Sequence, residues 1–161
     1  MKTLILNYQC CFDVPAEIAY DFHTDVKNLP RITPSWIKVA VVSQEKNRVV
    51  LDITQHFLTL RWEIDIALDK EHLCITDSAR KAPLPYFVHE RRFYPSDADT
   101  CVMHERIELR LPFGFLGYLF YPLVRHEMNR MFAFRHRATQ AYFELLTASA
   151  PSSITTAFST S

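Results

Sequence analysis

The sequence predicts an α+β fold: a curved antiparallel sheet of about seven strands lying against one long C-terminal helix. Two observations predict it. From Trp36 to Leu111 apolar residues recur mostly at every second position, in six runs separated by turn residues, which is the pattern of an antiparallel meander. From residue 122 to 147 the period changes to that of an amphipathic helix.

Residues 3–12 form the first expected strand, with Leu4, Leu6, Tyr8, Cys10 and Phe12 on one face. Asp13-Val14-Pro15-Ala16-Glu17 carries a proline and an acid where a helix starts, so a short helix through Ile18, Ala19 and Phe22 follows. Asn28-Leu29-Pro30 and Thr33-Pro34 then turn the chain. Two short helices are expected between the first strand and the meander. The six strands of the meander are expected at 36–43, 47–56, 58–68, 72–77, 86–94 and 100–111. The clearest alternation sets Leu58, Leu60, Trp62, Ile64 and Ile66 against Thr59, Arg61, Glu63 and Asp65, one face dry and one wet.

At about 100° per residue, Val124, Met128, Met131, Thr139, Tyr142 and Leu146 share one helix face, flanked by Phe132 and Leu145. Arg125, His126, Asn129, Arg130, His136, Arg137, Gln140 and Glu144 take the other. Pro122 starts this helix or kinks one begun near Phe115. Residues 122–147 would reach roughly 39 Å, enough to cross a curved sheet. Residues 1–147 read as one domain, and 148–161, rich in Ser, Thr and Ala without charge, as a disordered tail.

Composition excludes several classes. The 161 residues contain two glycines, Gly114 and Gly117, so no Rossmann or Walker A loop can be written. Eighteen basic residues balance eighteen acidic ones, which argues against a nucleic-acid partner. Cys10, Cys11, Cys74 and Cys101 form no C-x-x-C pair and read as reduced thiols, giving a cytoplasmic expectation. His89-Glu90, His104-Glu105 and His126-Glu127 each begin like H-E-x-x-H, but the second His is missing each time, so no metal is expected. Asp25, near Asp21 and His23, reads as a helix cap.

Four residues stand out as polar groups on dry faces. Arg135 sits among Met128, Met131 and Tyr142, so it must pair, reach a wet cavity or snorkel past the edge. Glu105 shares its strand face with Cys101, Met103, Ile107, Leu109 and Leu111. It either pairs with Arg135 or, unpaired in an apolar cavity, acquires a raised pKa and serves as a general acid or base. His89 and Arg91 share a face with Phe87 and Phe93. A few polar groups in a greasy interior suit a small-molecule pocket. Leu111-Pro-Phe-Gly-Phe-Leu-Gly117 concentrates both glycines where a turn needs unusual angles or close approach.

Four stretches carry a family resemblance: Asp21-Phe-His-Thr-Asp-Val-Lys-Asn-Leu-Pro-Arg-Ile-Thr-Pro34, Phe87-Val-His-Glu-Arg-Arg-Phe93, Leu111–Gly117, and Met131-Phe-Ala-Phe-Arg-His136. With them the chain resembles the START-like, or SRPBCC, superfamily of polyketide cyclase/dehydrase-like proteins. It is most similar to a small bacterial branch that also occurs fused to nucleotide-sugar epimerase-like domains. Glu105 stands where that branch commonly has Asp, and Ala82-Pro83 where it has Gly-Pro. The resemblance implies a helix-grip fold with a deep apolar cavity under the last helix.

Two functions are therefore expected to compete. The first is binding of a small hydrophobic molecule, neutral or anionic, such as a lipid, quinone or polyketide. Arg135 and Arg91 would meet its polar end, and Trp62, Met128, Met131 and Phe132 would line the site beside His89 and Glu105. The second is a cyclase, dehydratase or hydrolase that needs no cofactor and uses Glu105 or His89 as general acid/base. A third reading is a peripheral membrane or protein partner engaged through the aromatic linker and the basic helix face.

Overall fold

The computed structural model describes residues 3–114 and 116–149. Strand β1 (Leu4–Phe12) leads into helix α1 (Ala16–Thr24) and a 3-10 helix (Val26–Ile32). Strands β2 (Ile37–Glu45), β3 (Arg48–Gln55), β4 (Leu58–Asp69), β5 (Cys74–Lys81), β6 (Tyr86–Asp97) and β7 (Thr100–Arg110) follow. A second 3-10 helix (Leu116–Phe120) precedes helix α2 (Tyr121–Ser149).

The seven strands form one sheet in the order β1-β7-β6-β5-β4-β3-β2, antiparallel throughout. Consecutive hairpins build six of them, and β1 returns beside β7 because α1 and the 3-10 helix carry the chain to the opposite edge. Bulges at Val41/Ser43, Glu63/Ile64 and Pro95/Asp97 add twist and curl the sheet. This is the helix-grip architecture.

Most sequence expectations fall within a few residues. Pro30, read as a turn, sits inside the first 3-10 helix, whose short length tolerates it, and Asp25 caps that helix by accepting a hydrogen bond from the Lys27 N–H at 3.0 Å. β5 starts at Cys74 and runs to Lys81, past the expected 72–77. Pro122 lies in the first turn of α2, where its missing N–H costs no helical bond. α2 continues through Ala148 and Ser149, and the remainder of the expected tail lies outside the described residues.

Two apolar assignments are corrected. Leu58 and Leu60 are exposed, because the β3–β4 hairpin projects beyond the elements that cover the sheet. The dry face of α2 is centred on Phe132, Thr139 and Phe143, while Leu145 and Leu146 face outward. That is about 60° around the helix from the expected face, at 100° per residue. The apolar arc is wide because α2 has two neighbours, the sheet on one side and a cavity on the other. Its packed seam joins Phe12, Phe93, Met103 and Phe143 in one core cluster and Leu6, Ile107, Leu109 and Phe132 in another.

The two glycines have different reasons. Gly114 adopts a left-handed φ of 56°, while Gly117 lies so close to Pro112 that a Cβ would stand 2.3 Å from the Pro112 carbonyl oxygen. Around them Phe113, Leu116, Leu119, Phe120 and Leu123 remain exposed. Among the described residues no helix is long and apolar enough to cross a membrane.

Candidate functional site

A cavity of about 300 Å³ opens between the sheet, the first 3-10 helix and α2. Period two aims Val49, Leu51 and Ile53 of β3 and Trp62, Ile64 and Ile66 of β4 into it. The 3-10 helix supplies Val26, Leu29 and Ile32; α2 supplies Met128, Met131 and Phe132. Trp62 meets Phe87 edge-on, with ring centroids 5.2 Å apart. The volume is at the small end of the range for small-molecule pockets.

Several polar groups interrupt this apolar wall. His89, Arg91, Asp77, His23 and Arg135 all line it. Strand register explains the first three. Asp77 lies opposite His89 and Ile75 opposite Arg91, so Arg91 reaches Asp77 diagonally on the concave face and donates from Nη2 to Oδ2. Arg91 Nε and Asp77 Oδ1 are buried with no hydrogen-bond partner among the described residues.

Glu105 lies behind this wall. β7 places it opposite Arg91 and next to His89 on the diagonal. Oε1 accepts from His89 Nε2 at 3.0 Å, and Oε2 accepts from His136 Nε2 at 2.5 Å. Burial would raise the Glu105 pKa, but the hydrogen bonds from His136 and His89 and the charges of His89 and Arg135 hold it well below the usual carboxylate range. The expected Glu105–Arg135 ion pair does not form, and the carboxylate is neither unpaired nor on the cavity surface.

The Glu105 hydrogen bonds fix the imidazoles. A carboxylate only accepts, so His89 is protonated on Nε2 and keeps Nδ1 as its unprotonated nitrogen. Burial lowers the His89 pKa against the opposing pull of Glu105, with Arg91 adding to the fall. His23 donates from Nδ1 to the Ala19 carbonyl at 2.8 Å, and burial, reinforced by the Arg91 charge, pushes its pKa down to about 3. Tyr8, stacked on Phe132 at 4.6 Å, is pushed up to about 12 by burial and the Glu105 charge.

Arg135 is enclosed by protein yet keeps accessible surface, because that surface belongs to the cavity. Its guanidinium stands over the Phe132 ring, 5.4 Å from the centroid. It makes no hydrogen bond or ion pair among the described residues. Burial lowers its pKa, opposed by the Glu105 charge, but a guanidinium stays protonated.

Seven of the eight site residues named from sequence therefore meet at one cavity: Arg135, Arg91, His89, Trp62, Met128, Met131 and Phe132. Glu105 joins them only through His89. Sequence reasoning missed Asp77, His23 and His136. Asp77 was legible by parity with Ile75 once β5 was extended, and His23 by its spacing from Ala19 and Ala16 on α1. His136 was assigned to the wet face of α2 and instead points at Glu105. Among the described residues no three His, Cys, Asp or Glu side chains are placed to hold a metal ion.

A long helix gripped by a curled antiparallel sheet around an apolar cavity defines the SRPBCC class. The chain belongs to the polyketide cyclase/dehydrase and lipid transport family, which it matches over residues 12–134. No curated protein matches it by sequence. Among solved structures it is similar to the Zhui aromatase/cyclase from Streptomyces sp. R1128, at 15% identity and TM-score 0.76, covering 93% of this chain and 99% of that one. A START superfamily protein from Mycobacterium smegmatis gives 13% identity and TM-score 0.69, over 88% of this chain and 98% of that one. Norcoclaurine synthase from Thalictrum flavum, in complex with dopamine and hydroxybenzaldehyde, gives 16% identity and TM-score 0.66, over 92% and 89%. Identities this low carry the fold alone.

Proposed function

We propose that the protein binds a small hydrophobic molecule with an anionic group, its apolar body against Trp62, Met128, Met131 and Phe132 and its anion on Arg135. The observation that carries this reading is Arg135: a guanidinium enclosed at a largely apolar cavity with no ion-pair partner among the described residues. Burying a charge without a partner costs several kcal/mol, and an anionic ligand would supply the missing counter-ion. Arg91 is the weaker candidate because Asp77 already holds it. Family membership supports the reading, since the family's description includes lipid transport. Aromatic acids and fatty acids of modest size suit both the volume and the charge.

The test pairs mass spectrometry of the gently purified protein with titration of tryptophan fluorescence by medium-chain fatty acids and aromatic acids. A bound acid that quenches Trp62, and whose affinity falls tenfold or more in Arg135→Met while its uncharged ester binds both proteins alike, is the expected result. Unchanged acid affinity in a folded Arg135→Met protein removes Arg135 as the anchor.

A further inference from the structure

The hydrogen-bonded row His136–Glu105–His89 ends on the cavity wall at an imidazole nitrogen without a partner among the described residues. We propose that His89 is a general base toward a molecule in the cavity, acting through Nδ1, with Glu105 and His136 as positioning residues. The proposal rests on the cavity being a binding site, as argued above, and adds an activity to it.

Three features of the geometry support a base rather than a structural histidine. First, an ionised carboxylate on Nε2 leaves the lone pair on Nδ1, the arrangement that orients a catalytic imidazole and stabilises the imidazolium formed when it takes a proton. Second, Glu105 cannot swing away from His89, because His136 holds its other oxygen and its side chain is 3% exposed. Third, the imidazole and the Arg135 guanidinium both pack on Phe132, with the His89 ring edge-on at 5.5 Å. A base and a cation with no ion-pair partner among the described residues thus flank one ring. An oxyanion formed on proton removal would find Arg135 ready to meet it.

The groups surrounding His89 are Asp77 from β5, Arg91 from β6, Glu105 from β7, Arg135 and His136 from α2, and His23 from α1. Burial keeps His89 neutral to lower pH than an ordinary histidine, so the basic form is present throughout the neutral range. The substrate class is a small, largely apolar carbon or oxygen acid whose conjugate base is an oxyanion. The proton passes to Nδ1, the bonding pair it leaves goes to the oxyanion, and neither oxidant nor metal enters the balance.

The ring-opening of 5-nitrobenzisoxazole tests this without knowledge of the natural ligand. A base removes the ring C–H proton, the released pair forms the nitrile, the N–O bond breaks, and a coloured cyanonitrophenolate leaves with the negative charge on oxygen. The expected result is saturable turnover by the full chain. His89→Phe should reduce kcat/KM by about 100-fold or more, within the usual range for general-base catalysis. Glu105→Gln should lower kcat with little change in KM and move the acid limb of the pH profile to lower pH, because the anion that favours the imidazolium is gone. A His136→Asn protein should shift the same limb, which a merely structural role would not do.

Retention of the rate by folded His89→Phe overturns the proposal. So does an imidazole nitrogen NMR spectrum of the wild-type protein that shows His89 protonated on Nδ1, a measurement that needs no variant. Quenching of Trp62 by the probe without turnover overturns the base and leaves the binding reading standing. Absence of both quenching and turnover counts against both.

Discussion

Glu105 and His136 face each other across the interface of β7 and α2, with Oε2 of the carboxylate 2.5 Å from Nε2 of the imidazole. Hydropathy places His136 with the solvated residues of α2, yet its side chain is only 15% exposed. The contact ties the long helix to the centre of the sheet. Replacing Glu105 by Ala strands two buried imidazole N–H groups, each worth about 1–3 kcal/mol when left unpaired. Urea denaturation of Glu105→Ala should show a loss of roughly 3 kcal/mol, and the loss should be smaller in a protein already carrying His136→Phe.

Acid should unfold the protein early. Glu105 has a folded pKa below its unfolded value near 4.5, so its contribution is complete above that pH and is lost as pH falls through the folded pKa. His89 and His23 also have folded pKa values below the ordinary 6.5. Between about 6.5 and their folded values, about 3 for His23, the unfolded chain binds more protons than the native one, so stability drops as pH falls. Chemical denaturation from pH 7.5 to 4 should therefore show a steady decline. His23→Phe should flatten the slope, and an unchanged slope would remove His23 as a contributor.

Phe132 links the packed side of α2 to the cavity side. It is 2% exposed, stacks on Tyr8 and touches His89 and Arg135. Phe132→Ala should cost about 3–5 kcal/mol, the usual range for truncating a buried aromatic. Because the void would adjoin an existing cavity, ligand-sized apolar probes should regain part of that loss, measurable as a rise in Tm on adding indole or benzene.

Gly114 and Gly117 should respond differently to alanine. At Gly114 the added Cβ meets open space but the backbone is left-handed, so the cost is about 1 kcal/mol. At Gly117 the Cβ would lie 2.3 Å from backbone oxygen, which cannot move without shifting the β7–α2 connection. Gly117→Ala should cost about 2–3 kcal/mol by overpacking. Thermal unfolding of the two single variants gives the order, and equal losses would contradict the close approach.

The strands were legible because one side of this sheet is dry, and period two then fixes which residues point inward. The burial of Cys101, Met103, Glu105, Ile107 and Leu109 follows that parity, as does that of His89, Arg91 and Phe93. Parity also marked Glu105 as a charge on a dry face, and the helical period did the same for Arg135. It could not identify their partners, because a pairing between strand and helix depends on the rotation and height of α2 over the sheet.

The face of α2 was the least legible feature. A helical moment averages all apolar contacts, and here some come from sheet packing and others from a cavity wall. The average falls on the cavity side, with Met128, Met131 and Arg135, so Phe143 was missed and His136 assigned to water. Leu58 and Leu60 mislead for the opposite reason: their alternation is perfect, but the sheet extends past its cover.

By itself the sequence determined the class, the strand order in time, the long helix and the short roster of polar residues on dry faces, because these depend on local periodicity. Only the tertiary structure decided that Glu105 belongs to two histidines, that Arg91 belongs to Asp77, and that Arg135 faces the cavity with no ion-pair partner among the described residues. Those choices rest on distances of a few ångströms between elements far apart in the chain, and no local pattern of residues encodes them.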